Sequence, residues 1–237
     1  MTNPLLSVRD LHAFYGRAHI LQGVSFAMAP GEVVALVGRN GAGKSTTMKT
    51  IMGLVPVTSG DVAFDGQSIA GREPFEIARR GLGYVPEERR IFSELTVLEN
   101  LSVGERPPRP DAPRWTPEQL FTLFPNLGRM RERPGGQMSG GEQQMLTIAR
   151  TLMGNPKLVL LDEPSEGLAP VIIEEMAKAI LKLKTEGLSV LICEQNLHFA
   201  RLVANRALVM EKGVIRFDGP METLMTDLSI RERYLAV

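Results

Sequence analysis

Hydrophobic and polar positions alternate along the chain in two ways, and each predicts a different kind of element. Segments 6–10 and 24–28 alternate as strands do, whereas 33–37 is a continuous apolar run, typical of a strand buried on both faces. A further apolar run at 157–161 predicts another buried strand, and apolar residues recur every three or four positions from 171 to 184, as in a helix. Buried strands that alternate with helices favour an α/β fold with a mainly parallel sheet.

The middle and the end of the chain add elements to this pattern. Helical patches dominate from about residue 67 to 154, interrupted by a proline-rich stretch at 106–113 that cannot be regular helix because proline lacks the amide hydrogen. We expect a helical insertion that contains this stretch as a loop. After it, the sequence predicts a buried strand at 189–193, a helix near 197–203, a hairpin over 207–217 and two short helices.

Composition narrows the function classes. The chain has 237 residues, and Lys+Arg and Asp+Glu are both 27, which argues against a nucleic-acid binder that depends on a large basic excess. Cys193 is the only cysteine, which excludes an internal disulfide and a cysteine-based zinc site. The apolar stretches of the chain are far shorter than the ~20 residues of a membrane-spanning helix. If the chain serves a membrane process, we expect it to dock onto a protein that is already in the membrane.

A glycine-rich segment follows the predicted strand at 33–37 and precedes a predicted helix from Lys44 to about residue 54. Segment 38–45 fits the pattern Gly-x-x-x-x-Gly-Lys-Ser/Thr without a mismatch. Its glycines let backbone amides approach phosphate oxygens, Lys44 supplies a positive charge, and the Ser45 hydroxyl is suited to Mg²⁺. The predicted ATP-binding residues here are Gly38, Arg39, Asn40, Gly41, Ala42, Gly43, Lys44, Ser45 and Thr46.

Two carboxylates end the predicted strand at 157–161. Open α/β sheets bind ligands at the carboxyl ends of their strands, so Asp162 and Glu163 are expected beside the phosphate loop (38–45). Asp162 is predicted to hold Mg²⁺, and Glu163 to polarise the attacking water as general base. Neighbouring residues of a strand point to opposite faces, so the chain has to turn here if both are to reach one site.

A second anion-binding helix start is predicted at 139–142. Ser139 and two glycines open a helix that runs to about residue 152, where free amides and the helix dipole favour an anion. Together with the Leu-Leu-Asp-Glu-Pro segment at 160–164, this pattern resembles the signature and Walker B motifs of the ATP-binding cassette (ABC) ATPases. The resemblance covers the chain from residue 5 to about 219.

The resemblance to this family implies a fold and a mode of action. It implies a P-loop α/β cassette with a mainly parallel core sheet, an antiparallel N-terminal β subdomain and an inserted helical subdomain, all within one domain at 1–237. The core would comprise about 1–86 and 155–237, and the helical subdomain about 87–154. Two such cassettes pair head to tail, so that the signature motif of one closes over ATP held by the other. The implied signature residues are Ser139, Gly140, Gly141 and Glu142, and Tyr15 matches the aromatic residue that stacks on adenine.

Two positions depart from the usual family pattern. Glu87 stands where the family normally has a glutamine that ligates Mg²⁺, and it adds a negative charge beside the phosphates. Gln195 stands where the family normally has a switch histidine, and it can donate a hydrogen bond to the γ-phosphate but carries no charge. His198 lies three residues on, where a surface or packing role is expected. These departures bear on the rate of hydrolysis more than on the binding of ATP.

The segments 84–92, 166–170 and 194–196 resemble the ATPase subunits of branched-chain amino acid importers. This resemblance implies an ATPase at the cytoplasmic face of the cell membrane, working with a second ABC ATPase subunit, identical or different. Transmembrane permease subunits and, indirectly, an external substrate-binding protein are also implied. Residues 87–98 would begin the groove that receives a permease helix, or else form a solvated loop. Nucleic acid is not an expected partner.

Other function classes remain open from the sequence alone. A soluble ABC ATPase of a non-transport complex, such as the iron–sulphur assembly type, shares these motifs. A P-loop kinase needs an acceptor site and gains nothing from 139–142. A binding-only regulatory cassette is suggested by Glu87 and Gln195, but the presence of Glu163 argues against it.

Overall fold

The structure, a computed structural model, describes residues 3–234. The first two and last three residues of the predicted 1–237 domain lie outside this range. The strands are β1 (Leu6–Tyr15), β2 (Ala18–Met28), β3 (Val33–Val37), β4 (Ser59–Phe64), β5 (Gln67–Ser68), β6 (Leu82–Val85), β7 (Leu158–Asp162), β8 (Ser189–Glu194), β9 (Arg206–Glu211) and β10 (Val214–Pro220). The helices are α1 (Lys44–Ile51), α2 (Pro74–Arg79), α3 (Val97–Gly104), α4 (Pro117–Leu123), α5 (Pro125–Arg129), α6 (Gly140–Leu152), α7 (Pro170–Thr185), α8 (Leu197–Val203), α9 (Met221–Thr226) and α10 (Leu228–Tyr234).

Six strands form the larger sheet, in the order β10-β9-β3-β8-β7-β6. All neighbours in it are parallel except the β9–β10 hairpin at one edge. The α/β fold with a mainly parallel core sheet is therefore confirmed. Strand β6 was not predicted from the sequence; its short segment pairs with β7 in the register Leu82↔Leu158. Four residues are too few to show a strand pattern, and it is the neighbouring strand that gives β6 its backbone partners.

The smaller sheet has the order β2-β1-β4-β5 and is antiparallel throughout, as predicted for the N-terminal part of the chain. Strand β4 was also missed, because its sequence begins with serine, glycine and aspartate. Gly60 is required there: its φ is +91°, and a Cβ atom would collide with the carbonyl oxygen of Asp10 on the paired strand. Packing of Val62 and Phe64 into the core outweighs this poor strand propensity.

Strand β3 divides the interior into two cores. Val33, Ala35 and Val37 pack with the helical side of the molecule, whereas Val34 and Leu36 pack against the N-terminal sheet and α1. Each buried aliphatic side chain of this size contributes about 1.5–3 kcal/mol. Burial on both faces explains the continuous apolar run and fixes the strand that carries the phosphate loop.

The segment from Val97 to Leu152 contains α-helices and no strand of either sheet. Thr96, Thr116 and Ser139 each cap a helix, and each pairs with a Glu or Gln side chain three residues on in a capping box. The proline-rich stretch 106–113 is non-helical. Asn155 helps to hold it, because its side chain donates to the carbonyl of Arg106 and accepts from the amide of Trp115. None of the helices described over residues 3–234 has the length and apolar character needed to cross a membrane.

Candidate functional site

The phosphate loop connects β3 to α1 and is shaped by its glycines. Gly41 and Gly43 have φ values of +76° and +110°, in the region that residues with a Cβ rarely adopt. A Cβ on Gly38 would collide with the carbonyl oxygen of Met210 on β9. The loop therefore needs glycine at these positions both for its turn and for its close contact with the neighbouring strand.

Lys44 is only 4% exposed and is held by three oxygens. Its Nζ donates to the carbonyl oxygens of Gly38 and Arg39 at 3.0 and 3.3 Å and lies 3.1 Å from Oε1 of Glu163. These two carbonyl oxygens and the Glu163 carboxylate are the partners of the Lys44 ammonium group. A phosphate in the loop can take up the same donor.

Glu163 reaches the phosphate loop because the chain turns sharply after β7. Its φ is +46°, which is uncommon for a residue with a Cβ, and its amide donates to the carbonyl of Cys193 at 3.0 Å. Asp162 and Glu163 thus both face the loop although they are adjacent in sequence. A turn was expected at this point if both carboxylates were to reach one site, and the left-handed conformation of Glu163 supplies it.

The carboxylate of Glu163 is engaged at both oxygens. Oε1 faces Lys44, and Oε2 accepts a hydrogen bond from Nε2 of Gln195 at 2.8 Å. Burial acts to raise the pKa of Glu163, but the hydrogen bond from Gln195 and the charge of Lys44 outweigh it and hold this pKa below its usual value. The pKa of the nearby Glu166 is raised, mainly by its hydrogen bond with Glu163 and then by burial. As the pH rises, Glu163 therefore loses its proton before Glu166 does.

Asp162 is buried at the end of β7 and accepts two hydrogen bonds. Ser45 Oγ donates to its Oδ1 at 2.8 Å, and the Tyr84 hydroxyl donates to its Oδ2 at 3.1 Å. Burial raises the pKa of Asp162 above its usual value, although both hydrogen bonds act to lower it. The Tyr84 hydroxyl in turn has its pKa raised, by burial and then by Asp162. Tyr84, on the missed strand β6, is a positioning residue for which the sequence offered no signal.

A cavity of about 340 Å³ opens above the phosphate loop. Its walls contain loop residues and three acids, and they are formed by Ile20, Asn40, Gly41, Gly43, Lys44, Ser45, Thr46, Glu87, Glu163 and Glu166. Glu87 is thus brought to the cavity from a distant part of the sequence. The oxygens of Ser45, Asp162 and Glu87 are the hard donors that Mg²⁺ prefers, and a magnesium site normally takes one or two carboxylates and completes its shell with substrate phosphates. Ser45 and Glu87 line the cavity, and Asp162 accepts from Ser45 Oγ without itself lining it, so the chemistry of these donors suits Mg²⁺ held together with a phosphate ligand.

Tyr15, Gln195 and His198 do not line this cavity, and neither do Gly38, Arg39 and Ala42 of the phosphate loop. Tyr15 is 50% exposed at the tip of the β1–β2 hairpin and does not line the cavity, although Ile20 of the same hairpin does. Its neighbour Phe14 is occupied by a stacking contact with His19, at a ring distance of 4.1 Å. His198 lies exposed on α8 and takes no part in the cavity wall, whereas Gln195 contacts Glu163 directly.

Residues 139–142 lie outside the cavity, at the N-terminus of α6. Ser139 Oγ accepts from the amide of Glu142 at 3.4 Å, and the Glu142 carboxylate accepts from the amide of Ser139 at 2.7 Å. The guanidinium of Arg89 lies against Gly140, with Cζ 3.0 Å from the point that a Cβ on this glycine would occupy. A larger residue than glycine at position 140 would displace Arg89.

Arg89 was missed by the sequence reading. It has a φ of +63° and is half-buried, and within residues 3–234 its guanidinium has no carboxylate partner. A positive charge beside the positive end of a helix dipole is unfavourable unless an anion joins them. Nothing in the local sequence indicates this contact, because a turn of the chain places Arg89 at the N-terminus of α6.

The sequence has recognisable relatives. Residues 21–166 match the family model described as "ABC transporter". The high-affinity branched-chain amino acid transport ATP-binding protein BraG of Pseudomonas aeruginosa is 42% identical, with 98% of this chain and 99% of that protein aligned. The lipopolysaccharide export system ATP-binding protein LptB of Haemophilus influenzae is 36% identical, with 98% and 97% aligned. A probable branched-chain amino acid transport ATP-binding protein, LivG of Methanocaldococcus jannaschii, is 30% identical over 99% of this chain and 98% of that protein.

Solved structures give the same answer for the fold. A nucleotide-free ATP-binding cassette from an ABC transporter superposes with a TM-score of 0.82 at 28% identity, covering 97% of this chain and 98% of the other. An ATP-binding cassette of an ABC transporter in its ADP conformation also gives a TM-score of 0.82, at 29% identity and with 98% of both chains covered.

Proposed function

The chain belongs to the ABC transporter family, whose ATP-binding cassettes are ATPases, and from this premise we propose that it drives an importer of branched-chain or chemically related amino acids. One observation carries the substrate class: the match to the branched-chain amino acid transport protein of Pseudomonas aeruginosa runs over essentially the full length of both chains at 42% identity. The relatives named for lipopolysaccharide export are less similar, at 36% identity or below.

ATP binds with its phosphates in the cavity above the phosphate loop. The backbone amides of 38–45 bind the β- and γ-phosphates, and the dipole of α1 stabilises their charge. The Lys44 ammonium group then donates to phosphate oxygens instead of the carbonyl oxygens of Gly38 and Arg39. Ser45, Asp162 and Glu87 would hold Mg²⁺, which supplies positive charge against the phosphates. The adenine stacks on Tyr15, whose exposed ring is available at the hairpin tip.

Binding of phosphate prepares Glu163 for its role. When Lys44 turns to the phosphates, its ion pair with Glu163 at 3.1 Å weakens, and the freed carboxylate oxygen can accept a proton from the attacking water. Gln195 holds the other carboxylate oxygen at 2.8 Å and fixes the orientation of the base. The low pKa of Glu163 keeps it in the ionised form that this role requires.

Residues 139–142 serve the ATP bound by a second cassette. They lie at the free N-terminus of α6, outside the chain's own phosphate cavity, as a head-to-tail pair requires. Arg89 stands beside Gly140 and adds a cation to this half-site. The anion that compensates both Arg89 and the helix dipole is then the γ-phosphate of the partner's ATP.

Docking to a membrane partner uses the face of the helical insertion. Phe92, Leu98 and Val103 are 47%, 37% and 46% exposed and lie in the segment that follows Glu87. A permease helix that covers these side chains would be coupled to the phosphate cavity through Glu87. The chain then works at the cytoplasmic face of the cell membrane, with permease subunits, a second ATPase subunit and, indirectly, an external binding protein.

A mixing experiment tests the composite ATPase site. Glu163→Gln removes the base, which contributes about 10²- to 10⁴-fold to the rate, and Ser139→Ala damages the half-site offered to the partner. Each variant alone should hydrolyse little ATP. In a head-to-tail pair of one copy of each, however, one of the two sites combines an intact base with an intact signature. An equal mixture should therefore recover about a quarter of the wild-type turnover if the copies exchange freely and the sites work independently. If the wild-type protein hydrolyses ATP but the mixture of the two variants recovers no turnover, the site is not shared between identical chains.

Transport is tested in cells that carry Glu163→Gln in their own copy of the chain. Binding-protein-dependent uptake of labelled leucine should be lost, while uptake of an unrelated amino acid through another system is unchanged. Normal leucine uptake with lipopolysaccharide retained at the inner membrane would transfer the assignment to the export function named for the Haemophilus influenzae relative.

A further inference from the structure

A cavity of about 970 Å³ lies between the helical insertion and α7, and it shares no wall residue with the phosphate cavity. We call it the α4–α7 cavity. Trp115 and Phe124 from the insertion, Met145 of α6 and Ala179 of α7 form its apolar part. All four are buried, and the volume is of the size that holds a drug-sized molecule.

The rim of the α4–α7 cavity is positively charged. Arg114, Arg129 and Lys178 are exposed there and, within residues 3–234, have no hydrogen-bonded or ionic partner for their side chains. Two acids also lie at the rim, but both are engaged. Glu175 accepts from Nδ2 of the neutral Asn126 at 3.3 Å and keeps its negative charge, whereas Glu186 pairs with Lys182 at 2.8 Å, so among the described rim residues the three free cations outnumber the one unpaired acid. The charge left unmatched at the mouth is therefore positive.

The wall also contains an unsatisfied donor. The indole Nε1 of Trp115 is buried and has no acceptor among the described residues. A buried donor without a partner costs about 1–3 kcal/mol, but Nε1 does not face the open space of the cavity, so a ligand gains this hydrogen bond only if the indole turns.

We propose that the α4–α7 cavity binds a small organic anion with an apolar body and thereby regulates the ATPase. The apolar body occupies the space between Phe124, Met145 and Ala179, and the anionic group lies at the rim near Arg129 and Lys178. This function goes beyond the transport function proposed above, and its binding step does not depend on ATP.

The position of the cavity gives such a ligand a means of regulation. One wall belongs to α4 and α5 of the insertion, which also carries 139–142, and the other belongs to α7, which begins at Pro170 shortly after Glu163. A ligand that bridges both walls prefers one orientation of the insertion relative to the core. The ligand shifts the equilibrium between the two orientations by its difference in affinity for them, and this changes the rate of ATP hydrolysis.

Trp115 is the only tryptophan of the chain, so tryptophan fluorescence comes from the wall of this cavity. We suggest decanoate as the probe, with decan-1-ol as its neutral counterpart, added to the nucleotide-free full-length chain. Decanoate should change the Trp115 emission saturably and bind about tenfold more tightly than decan-1-ol, because only the anion gains the rim charges. Equal affinities for the two compounds would overturn the proposal.

Variants separate this site from unspecific uptake of an apolar molecule. The double variant Arg129→Gln/Lys178→Gln should weaken decanoate binding about fivefold to tenfold and leave decan-1-ol binding unchanged. Lys184→Gln is the matched control, because Lys184 is also on α7 but donates to Asn205 instead of lining the cavity. Decanoate binding that survives the double variant, or falls equally in the control, would reject the site.

Two further readouts decide the nature and effect of the ligand. Saturating decanoate should change wild-type ATP turnover but not that of the double variant, and binding without any change in turnover would overturn the regulatory part. Binding should also persist in the complex with the membrane subunits. If that complex excludes decanoate, a protein segment covers the cavity and a small anion is the wrong occupant.

Discussion

The Nε2 of Gln195 donates a hydrogen bond to Oε2 of Glu163 at 2.8 Å and so joins the ends of β8 and β7. Glu163 is the proposed base, and Gln195 takes the position at which the family normally has a histidine. An amide keeps its donor at every pH near neutrality, whereas a histidine changes its charge there. The pair thus fixes the base without adding a group that titrates near neutral pH.

Replacing Gln195 by leucine should slow hydrolysis and shift its pH dependence. Loss of one aligned donor costs up to about a hundredfold in kcat. The hydrogen bond from Gln195 also helps to lower the pKa of Glu163, so this pKa should rise in the variant. Because Glu163 acts in its ionised form, the acid limb of kcat/KM should move to higher pH.

The control for this variant is His198→Gln, which changes an exposed side chain on α8 and should leave both rate and pH profile unchanged. A loss of rate in the His198 variant together with an unchanged Gln195 variant would show that the switch role lies with His198. A slower Gln195 variant with an unmoved acid limb would separate Gln195 from the pKa of Glu163.

Removal of the Tyr84 hydroxyl should destabilise the protein and weaken its use of Mg²⁺. In Tyr84→Phe the buried Oδ2 of Asp162 loses its donor, at a cost of about 1–3 kcal/mol in the free energy of unfolding. The pKa of Asp162, already raised by burial, should rise further, so ATP turnover should require more Mg²⁺. Urea unfolding and a Mg²⁺ titration of turnover measure the two effects.

Tyr15→Phe is the matched control for Tyr84, because it removes the same hydroxyl from an exposed ring and keeps the stacking face. It should leave both quantities unchanged. Equal unfolding free energies for wild type and Tyr84→Phe would mean that the hydrogen bond at 3.1 Å contributes nothing to stability.

Local sequence predicts the parts of this molecule whose physics is local. The apolar run of β3 indicates burial on both faces, and the glycines of the phosphate loop are needed where the backbone adopts φ values of +76° and +110°. The helix start at Ser139 follows from its capping box. Each of these features depends on residues that are close together in the chain.

Long-range contacts account for what the sequence did not reveal. Strand β6 is defined by its pairing with β7, and Tyr84 becomes a partner of Asp162 only through that pairing. Arg89 meets Gly140 because the chain turns after Glu87. The α4–α7 cavity likewise arises where the insertion meets α7. No periodicity or motif records these contacts, because they join segments that are far apart in sequence.

Neutralising Arg89 should weaken the ATP-dependent pairing of cassettes. Pairing is best measured in the Glu163→Gln background, where ATP is bound but not consumed. Arg89→Gln should weaken dimerisation at least about tenfold, since a hydrogen bond to a charged group contributes about 1.5–3 kcal/mol and a head-to-tail pair contains two such contacts. Light scattering with and without Mg·ATP measures the dimer, and ATP binding to the monomer should not change.

Arg90→Gln is the control for Arg89, because it removes a neighbouring positive charge whose closest partner is Glu88 at 3.6 Å. Its dimerisation should remain close to that of the parent protein. Equal losses in the two variants would attribute the effect to net charge instead of to the contact with Gly140.

Replacing Glu87 by glutamine should strengthen ATP binding more without Mg²⁺ than with it. Glu87 lines the phosphate cavity, and a carboxylate about 4 Å from a phosphate in a water-filled site repels it by about 1 kcal/mol. In the presence of EDTA, Glu87→Gln should therefore bind ATP about fivefold more tightly. With Mg²⁺ this advantage should shrink or reverse, because the carboxylate is the stronger ligand for the ion.

Glu88→Gln removes the same charge from the neighbouring residue, which does not line the cavity, and should bind ATP as the wild type does. Tighter binding by both variants in EDTA would indicate a general charge effect, whereas no gain in Glu87→Gln would place this carboxylate away from the bound phosphates.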